Sequence, residues 1–189
     1  MHEHDVFTWR QLKRVYALGK LHWKSFSHMF CNAINLIQIP NQDLLQTDAK
    51  YIPNTGEITN GSIVFNWDYM FYNCKLLTHM PKNMKIHHNC INLSYMFANA
   101  FKNNDPTLIN SYKPSFFPET GFNNSDIDIS HCLENCTALK SDVNNQQFGK
   151  NLWYSEKTFT SENAFLNTNI SNIEKIPKDW GGGRKSTTI

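Results

Sequence analysis

The apolar and polar positions of SHMFCNAINLIQIP, residues 27–40, recur in the same order in DYMFYNCKLLTHMP, residues 68–81. Both read Met-Phe-x-Asn, then a small residue, Leu, an apolar residue and Pro at identical offsets. Alignment on the Phe gives five units, anchored at Phe30, Phe71, Phe97, Leu133 and Phe165. Two positions after each anchor stands an asparagine: Asn32, Asn73, Asn99, Asn135 and Asn167. A small residue follows it (Ala33, Cys74, Ala100, Cys136, Thr168), and Met29, Met70, Met96, Cys132 or Ala164 precedes the anchor. The first two units end in Leu36, Ile39, Pro40 and in Leu77, Met80, Pro81. The fifth recovers Ile173, Ile176 and Pro177 after an insertion, the fourth keeps Leu139 and drifts, and the third loses the ending at NNDP. Anchors lie 41, 26, 36 and 32 residues apart, which predicts coils of uneven length.

A unit of this size cannot bury its apolar side alone, so the units are expected to stack and share one core. LIQI, LTHM and IEKI are short, apolar at both ends and closed by Pro, the pattern of strands three or four residues long. An inward Asn at a fixed turn would satisfy backbone groups that otherwise cost about 1–3 kcal/mol each when buried unpaired. Before the first unit, Thr8 and Gln11 have capping-box spacing and Phe7 and Leu12 staple spacing. This predicts a helix from residue 9, with Leu12, Val15 and Tyr16 as its apolar stripe and Gly19 as its stop. Such a helix would cover the first coil; Arg10, Lys13 and Arg14 make a basic membrane-surface helix the alternative. The chain thus divides into a capping region at 1–22, a repeat region at 23–180 and a flexible tail at 181–189.

The pattern Met-Phe-x-Asn-Cys/Ala-x-x-Leu-x-x-Ile-Pro resembles the BspA-like leucine-rich-repeat proteins, including the related repeats of mycoplasmal surface proteins, and IPKDWGGG is similar to repeat endings in that group. The resemblance implies an α/β repeat: a short, irregular, right-handed leucine-rich-repeat solenoid with a small parallel sheet and an N-terminal capping helix. It also implies display on a microbial or parasite surface, or secretion, and a role in adhesion.

Composition changes this picture little. A net charge of +2 is too mild to announce a nucleic-acid partner, and no apolar run approaches the length of a spanning helix. The N-terminus lacks the apolar stretch and cleavage site of a secretory signal. That favours a cytoplasmic location, a mature form or an excised domain. Asn accounts for 24 of 189 residues, yet the 40% apolar content argues for a folded chain. Five cysteines do not make a disulfide framework. His87, His88, Cys90, His131, Cys132 and Cys136 could be imagined around a zinc ion, but Cys74, Cys132 and Cys136 already fit positions held elsewhere by Met and Ala. No metal or cofactor is expected.

GGGRKST lacks the phosphate-loop pattern, and no nucleophile elbow or carboxylate pair points to catalysis. Sequons begin at Asn60, Asn92, Asn123, Asn135 and Asn169, no meaningful excess over chance in so Asn-rich a chain. The expectation is a non-enzymatic module that binds another protein or a surface glycan, for adhesion or host-factor recognition. An effector or inhibitor acting by protein–protein interaction is the alternative. Outward contact residues are expected at Gln38, Thr78, His79, Lys140, Glu174 and Lys175 on the sheet face. Tyr112, Phe116 and Phe117 of the SYKPSFFPETGF insertion form a second candidate surface.

Overall fold

A computed structural model describes residues 9–17, 25–39, 50–51, 58–59, 66–78, 90–102, 127–139, 160–170, 173–176 and 178–183. The five anchor segments share one backbone device. Residues two before and two after each anchor have positive φ: His28 and Asn32, Tyr69 and Asn73, Tyr95 and Asn99, His131 and Asn135, Asn163 and Asn167, all between 54° and 62°. Left-handed residues at such short intervals bend the chain repeatedly and interrupt extended backbone. Each segment is therefore a run of tight turns, closed by bonds such as Met29 N–H to Phe26 O (3.1 Å), Cys31 N–H to His28 O (3.1 Å) and Ala33 N–H to Phe30 O (3.0 Å).

The alternate N–H groups point along the stack. In the first segment Phe26, His28, Phe30 and Asn32 donate to Asn66, Asp68, Met70 and Tyr72 of the second, at 2.9–3.0 Å. The second repeats this toward Asn92, Ser94, Met96 and Ala98, the third toward Asp128, Ser130, Cys132 and Glu134, and the fourth toward Thr160, Glu162, Ala164 and Leu166. Parallel single-residue bridges link Ser25, Asn66, Asn92, Asp128 and Thr160 in that order. These bridging residues also carry short polar side chains: Ser25 Oγ, Asn92 Oδ1 and Asp128 Oδ1 accept the N–H of Ser27, Ser94 and Ser130 at 3.1, 2.9 and 2.8 Å. They satisfy N–H donors at the start of the turn run.

The core lies inside the bends. Phe26, Trp67, Leu93 and Ile129 are buried in one row, Met70, Met96, Cys132 and Ala164 in a second, and the anchors Phe30, Phe71, Phe97, Leu133 and Phe165 in a third. Phe30, Phe71 and Phe97 stack with centroids 5.6 and 5.1 Å apart. Burying a Phe side chain stabilises by about 1.5–3 kcal/mol, so these rows supply much of the driving force for stacking.

The stack ends at IPKDWGGG. Two single-turn 3-10 helices, Ile173–Lys175 and Lys178–Trp180, bring the Asp179 and Trp180 carbonyls to the Asn163 and Phe165 N–H groups at 3.2 and 2.8 Å. The Trp180 ring lies parallel to Phe165 at 6.4 Å. Gly182 is required there, because a Cβ would collide with the Ile176 carbonyl oxygen. Gly181 and Gly182 of the expected tail are buried, while residues 184–189 lie outside the described set.

Several expectations are overturned. Among the described residues the only strands are β1, Lys50–Tyr51, and β2, Ile58–Thr59, paired antiparallel with Lys50 opposite Thr59. No α-helix and no parallel sheet occurs among them. The described residues are irregular and mostly turns and loops, not a leucine-rich-repeat solenoid, and the resemblance to BspA-like proteins does not hold. Of the stretches expected as strands, LIQI keeps one single-residue bridge, Gln38 to Arg14, and IEKI opens as a 3-10 turn, while the left-handed pair in every segment holds the backbone around each anchor in turns.

The capping helix is also absent from residues 9–17. After a turn closed by Leu12 N–H to Trp9 O (2.9 Å), this segment runs beside residues 37–38. Ile37 N–H donates to Lys13 O at 2.8 Å and Val15 N–H to Gln38 O at 3.0 Å. A helix so short is marginal in water, and pairing with an existing edge wins. Leu12 and Val15 still pack on the core, but Tyr16 is 79% exposed. Thr8 and Gly19 lie outside the described residues.

Candidate functional site, a column of stacked rings

The position two before the anchor carries His28, Tyr69, Tyr95, His131 and Asn163 in successive segments. Hydrogen-bonded strands lie about 4.7–4.9 Å apart, and equivalent side chains of segments bonded in register are set over one another at a comparable rise. His28 and Tyr69 stack at 4.7 Å, Tyr69 and Tyr95 at 4.7 Å, and Tyr95 and His131 at 4.4 Å, with planes within 14° of parallel. Tyr72 lies against the column, tilted 59° to Tyr69 at 5.3 Å and edge-on to Tyr95 at 6.3 Å. Tyr69, Tyr72, Tyr95 and His131 are half-buried and His28 is exposed. Both faces of Tyr69 and Tyr95 are consumed by the stack; their edges and polar atoms remain for contact.

Carboxylates flank the rings. Asp68 Oδ2 accepts from Ser27 Oγ at 2.9 Å and lies 3.8 Å from His28 Nδ1. Glu134 Oε2 is 2.7 Å from His131 Nδ1. Burial raises the Tyr95 hydroxyl above the ordinary tyrosine range, assisted by the negative field of Glu134, by Tyr72, and by Glu162 and Asp128. Tyr69 is raised chiefly by burial, with Tyr95, Tyr72 and Asp68 adding to it. Both phenols therefore stay protonated donors on an acidic surface.

The second left-handed row behaves differently. Asn73 Nδ2 donates to Asn32 Oδ1 at 3.0 Å, Asn135 Nδ2 to Asn99 Oδ1 at 3.2 Å and Asn167 Nδ2 to Asn135 Oδ1 at 2.9 Å. The amides bond to one another along the stack, and asparagine tolerates positive φ better than most residues. Inside this row the thiols of Cys74 and Cys136 donate to the Phe30 and Phe97 carbonyls at 3.2 and 3.0 Å. Burial pushes Cys74 and Cys90 up to about 12 and raises Cys132 and Cys136 as well. Thiols held protonated in this way are poor nucleophiles and poor metal ligands.

Of the residues expected to make contact, the structure describes Gln38, Thr78, Glu174 and the backbone of Lys175. Gln38 is exposed and bridges Arg14, while Thr78 is buried and donates its Oγ1 to Ile37 O at 3.0 Å. Glu174 is exposed in a 3-10 turn that also contains Lys175. His79, Lys140, Tyr112, Phe116 and Phe117 lie outside the described residues. With no parallel sheet among the described residues to present these side chains, adhesion or host-factor recognition through a repeat sheet face and insertion loops is set aside.

The ring column is not evident in the sequence, because its row mixes His, Tyr and Asn. Its signal was positional, an aromatic or amide residue always four before the ladder asparagine. No group of three or more His, Cys, Asp or Glu among the described residues could hold a metal ion. No described helix is long and apolar enough to cross a membrane. No family model, curated protein or solved structure matches the chain.

Proposed function

We propose that the chain is a non-enzymatic binding protein whose contact surface is the ring column with its carboxylate flank, and that its partner is a basic protein surface. One observation carries the reading: four aromatic side chains occupy left-handed backbone positions that Asn163 fills in the last segment. Such a conformation costs an ordinary residue about 1–2 kcal/mol, and unfavourable backbone states persist where the surrounding structure and function sustain them. Stacking offsets part of that cost, at about 0.5–1.5 kcal/mol per pair.

The exposed edges favour protein over glycan. Sugars pack on free ring faces, whereas here both faces of the two central tyrosines are occupied and hydroxyls, imidazole nitrogens and carboxylates are presented. Tyrosine anchors beside acidic groups suit a Lys- or Arg-bearing partner.

The test is retention on an immobilised Lys/Arg-rich peptide against a Gly/Ser control and an oligosaccharide array. Tyr69→Asn combined with Tyr95→Asn, which places a tolerant residue at each site, is expected to cut peptide retention by about tenfold or more while the melting temperature moves by only a few degrees. Unchanged retention in this variant, or ring-dependent retention on the glycans instead, would refute the proposal.

A further inference from the structure

We infer that the basic surface seated on the ring column is the chain's own N-terminal strip, supplied by a second copy; this rests on the column being a contact surface. Residues 9–17 hold Arg10, Lys13 and Arg14, all exposed, and no acidic residue. None of the three forms an ion pair with a described residue. Trp9 and Tyr16 of the same strip are 47% and 79% exposed, two of the four large hydrophobic side chains exposed among the described residues. Arg and aromatic residues together are the composition of interface anchors.

The strip is also held in place. Its backbone is fixed by the Lys13 and Val15 bonds to residues 37–38 and by Asn35 Nδ2 donating to Arg10 O at 2.7 Å. An ordered strip pays less entropy on docking than a loose one.

Charge complementarity selects the occupant. The column is flanked by Asp68, Asp128, Glu134 and Glu162, whereas the strip carries three positive side chains, so one chain holds both halves of an acidic–basic contact while its net charge stays at +2. A nucleic acid or anionic membrane would fit the strip but would be repelled by the column. The two patches are different surfaces. The contact is therefore heterologous, closing into a pair if both copies reciprocate and otherwise continuing as a chain of copies.

Sedimentation equilibrium of the full chain at about 50 mM and about 500 mM salt tests this directly, since screening weakens exposed ionic contacts. Association above the 22.0 kDa monomer is expected at low salt, with a dissociation constant rising about tenfold or more at high salt. R10E/K13E/R14E is expected to sediment as a monomer, as is E134K/E162K, and a mixture of the two to associate again, because the reversed strip meets a reversed column. A wild-type monomer at low salt, association that ignores salt, or a mixture that stays monomeric would overturn the inference. If the wild type is monomeric yet still held by the Lys/Arg-rich peptide through Tyr69 and Tyr95, self-pairing fails and the binding reading stands. Loss of both removes the two together.

Discussion

The two left-handed rows solve one backbone problem in opposite ways. Two residues after each anchor, all five segments use asparagine, the low-cost choice for positive φ, and its amides join Asn32 to Asn73 and Asn99 to Asn135 to Asn167. Two residues before the anchor, four segments use Tyr or His, whose rings stack at 4.4–4.7 Å, and only Asn163 follows the low-cost rule. The same φ is thus met once by local tolerance and once by contacts between neighbours. The difference separates a row built for the fold from a row that also presents chemistry.

The sharpest break is expected in the asparagine row. Asn99→Val puts a β-branched side chain at positive φ and removes the amide bonded by Asn135, and should cost about 3 kcal/mol in urea unfolding. Asn99→Gly keeps the conformation and should cost only about 1 kcal/mol. Equal losses would show that φ is not what selects asparagine.

Next in size is an alkaline effect from the thiols beneath that row. Burial raises Cys74 and Cys90 from an ordinary value of 9.0 to about 12, so the folded chain holds these protons more tightly than the unfolded chain. Their contribution is complete below pH about 9 and is lost as pH climbs from there toward about 12. Thermal melting should fall across that window. Cys74→Ala, which copies Ala33 and Ala100 at the equivalent position, should shallow the decline; an unaltered slope would remove Cys74 as a cause.

Smaller still is the effect of thinning the ring row. Tyr95→Asn forfeits two stacking contacts but relieves the backbone, so stability should change by about 1 kcal/mol or less. A loss of about 3 kcal/mol would make the rings structural in the manner of the core Phe residues. The smallest expected change is that of Asn163→Tyr, which adds a fifth ring beside His131. Strain and stacking should cancel to within about 0.5 kcal/mol in thermal melting, and a loss of about 2 kcal/mol would show that the column cannot be lengthened.

The five anchors and ladder asparagines were visible because their offsets are fixed, and Phe71, Met70 and Cys74 are buried as interior-type residues should be. The backbone between them was not. LIQI has strand-like composition, yet Asn32 at φ 60° and the bonds of Ile34 to Asn32 O and Leu36 to Ala33 O commit the chain to turns just before it. Asn offers a hydrogen-bonding amide, but its tolerance of positive φ is the stronger clue to the turns. The N-terminal segment carried helix signals, but pairing with residues 37–38 overrode a local preference worth little in so short a stretch. The candidate site was hidden because a row of His and Tyr acquires meaning only when the segments lie over one another.

The in-register bonding has a practical corollary for engineering. Neighbouring segments align identically although 41, 26, 36 or 32 residues separate their anchors, so the joining stretches do not dictate registration. Each doubling of a connector adds only about 0.6 kcal/mol of closure entropy. Foreign peptides could be spliced between segments and carried as passengers.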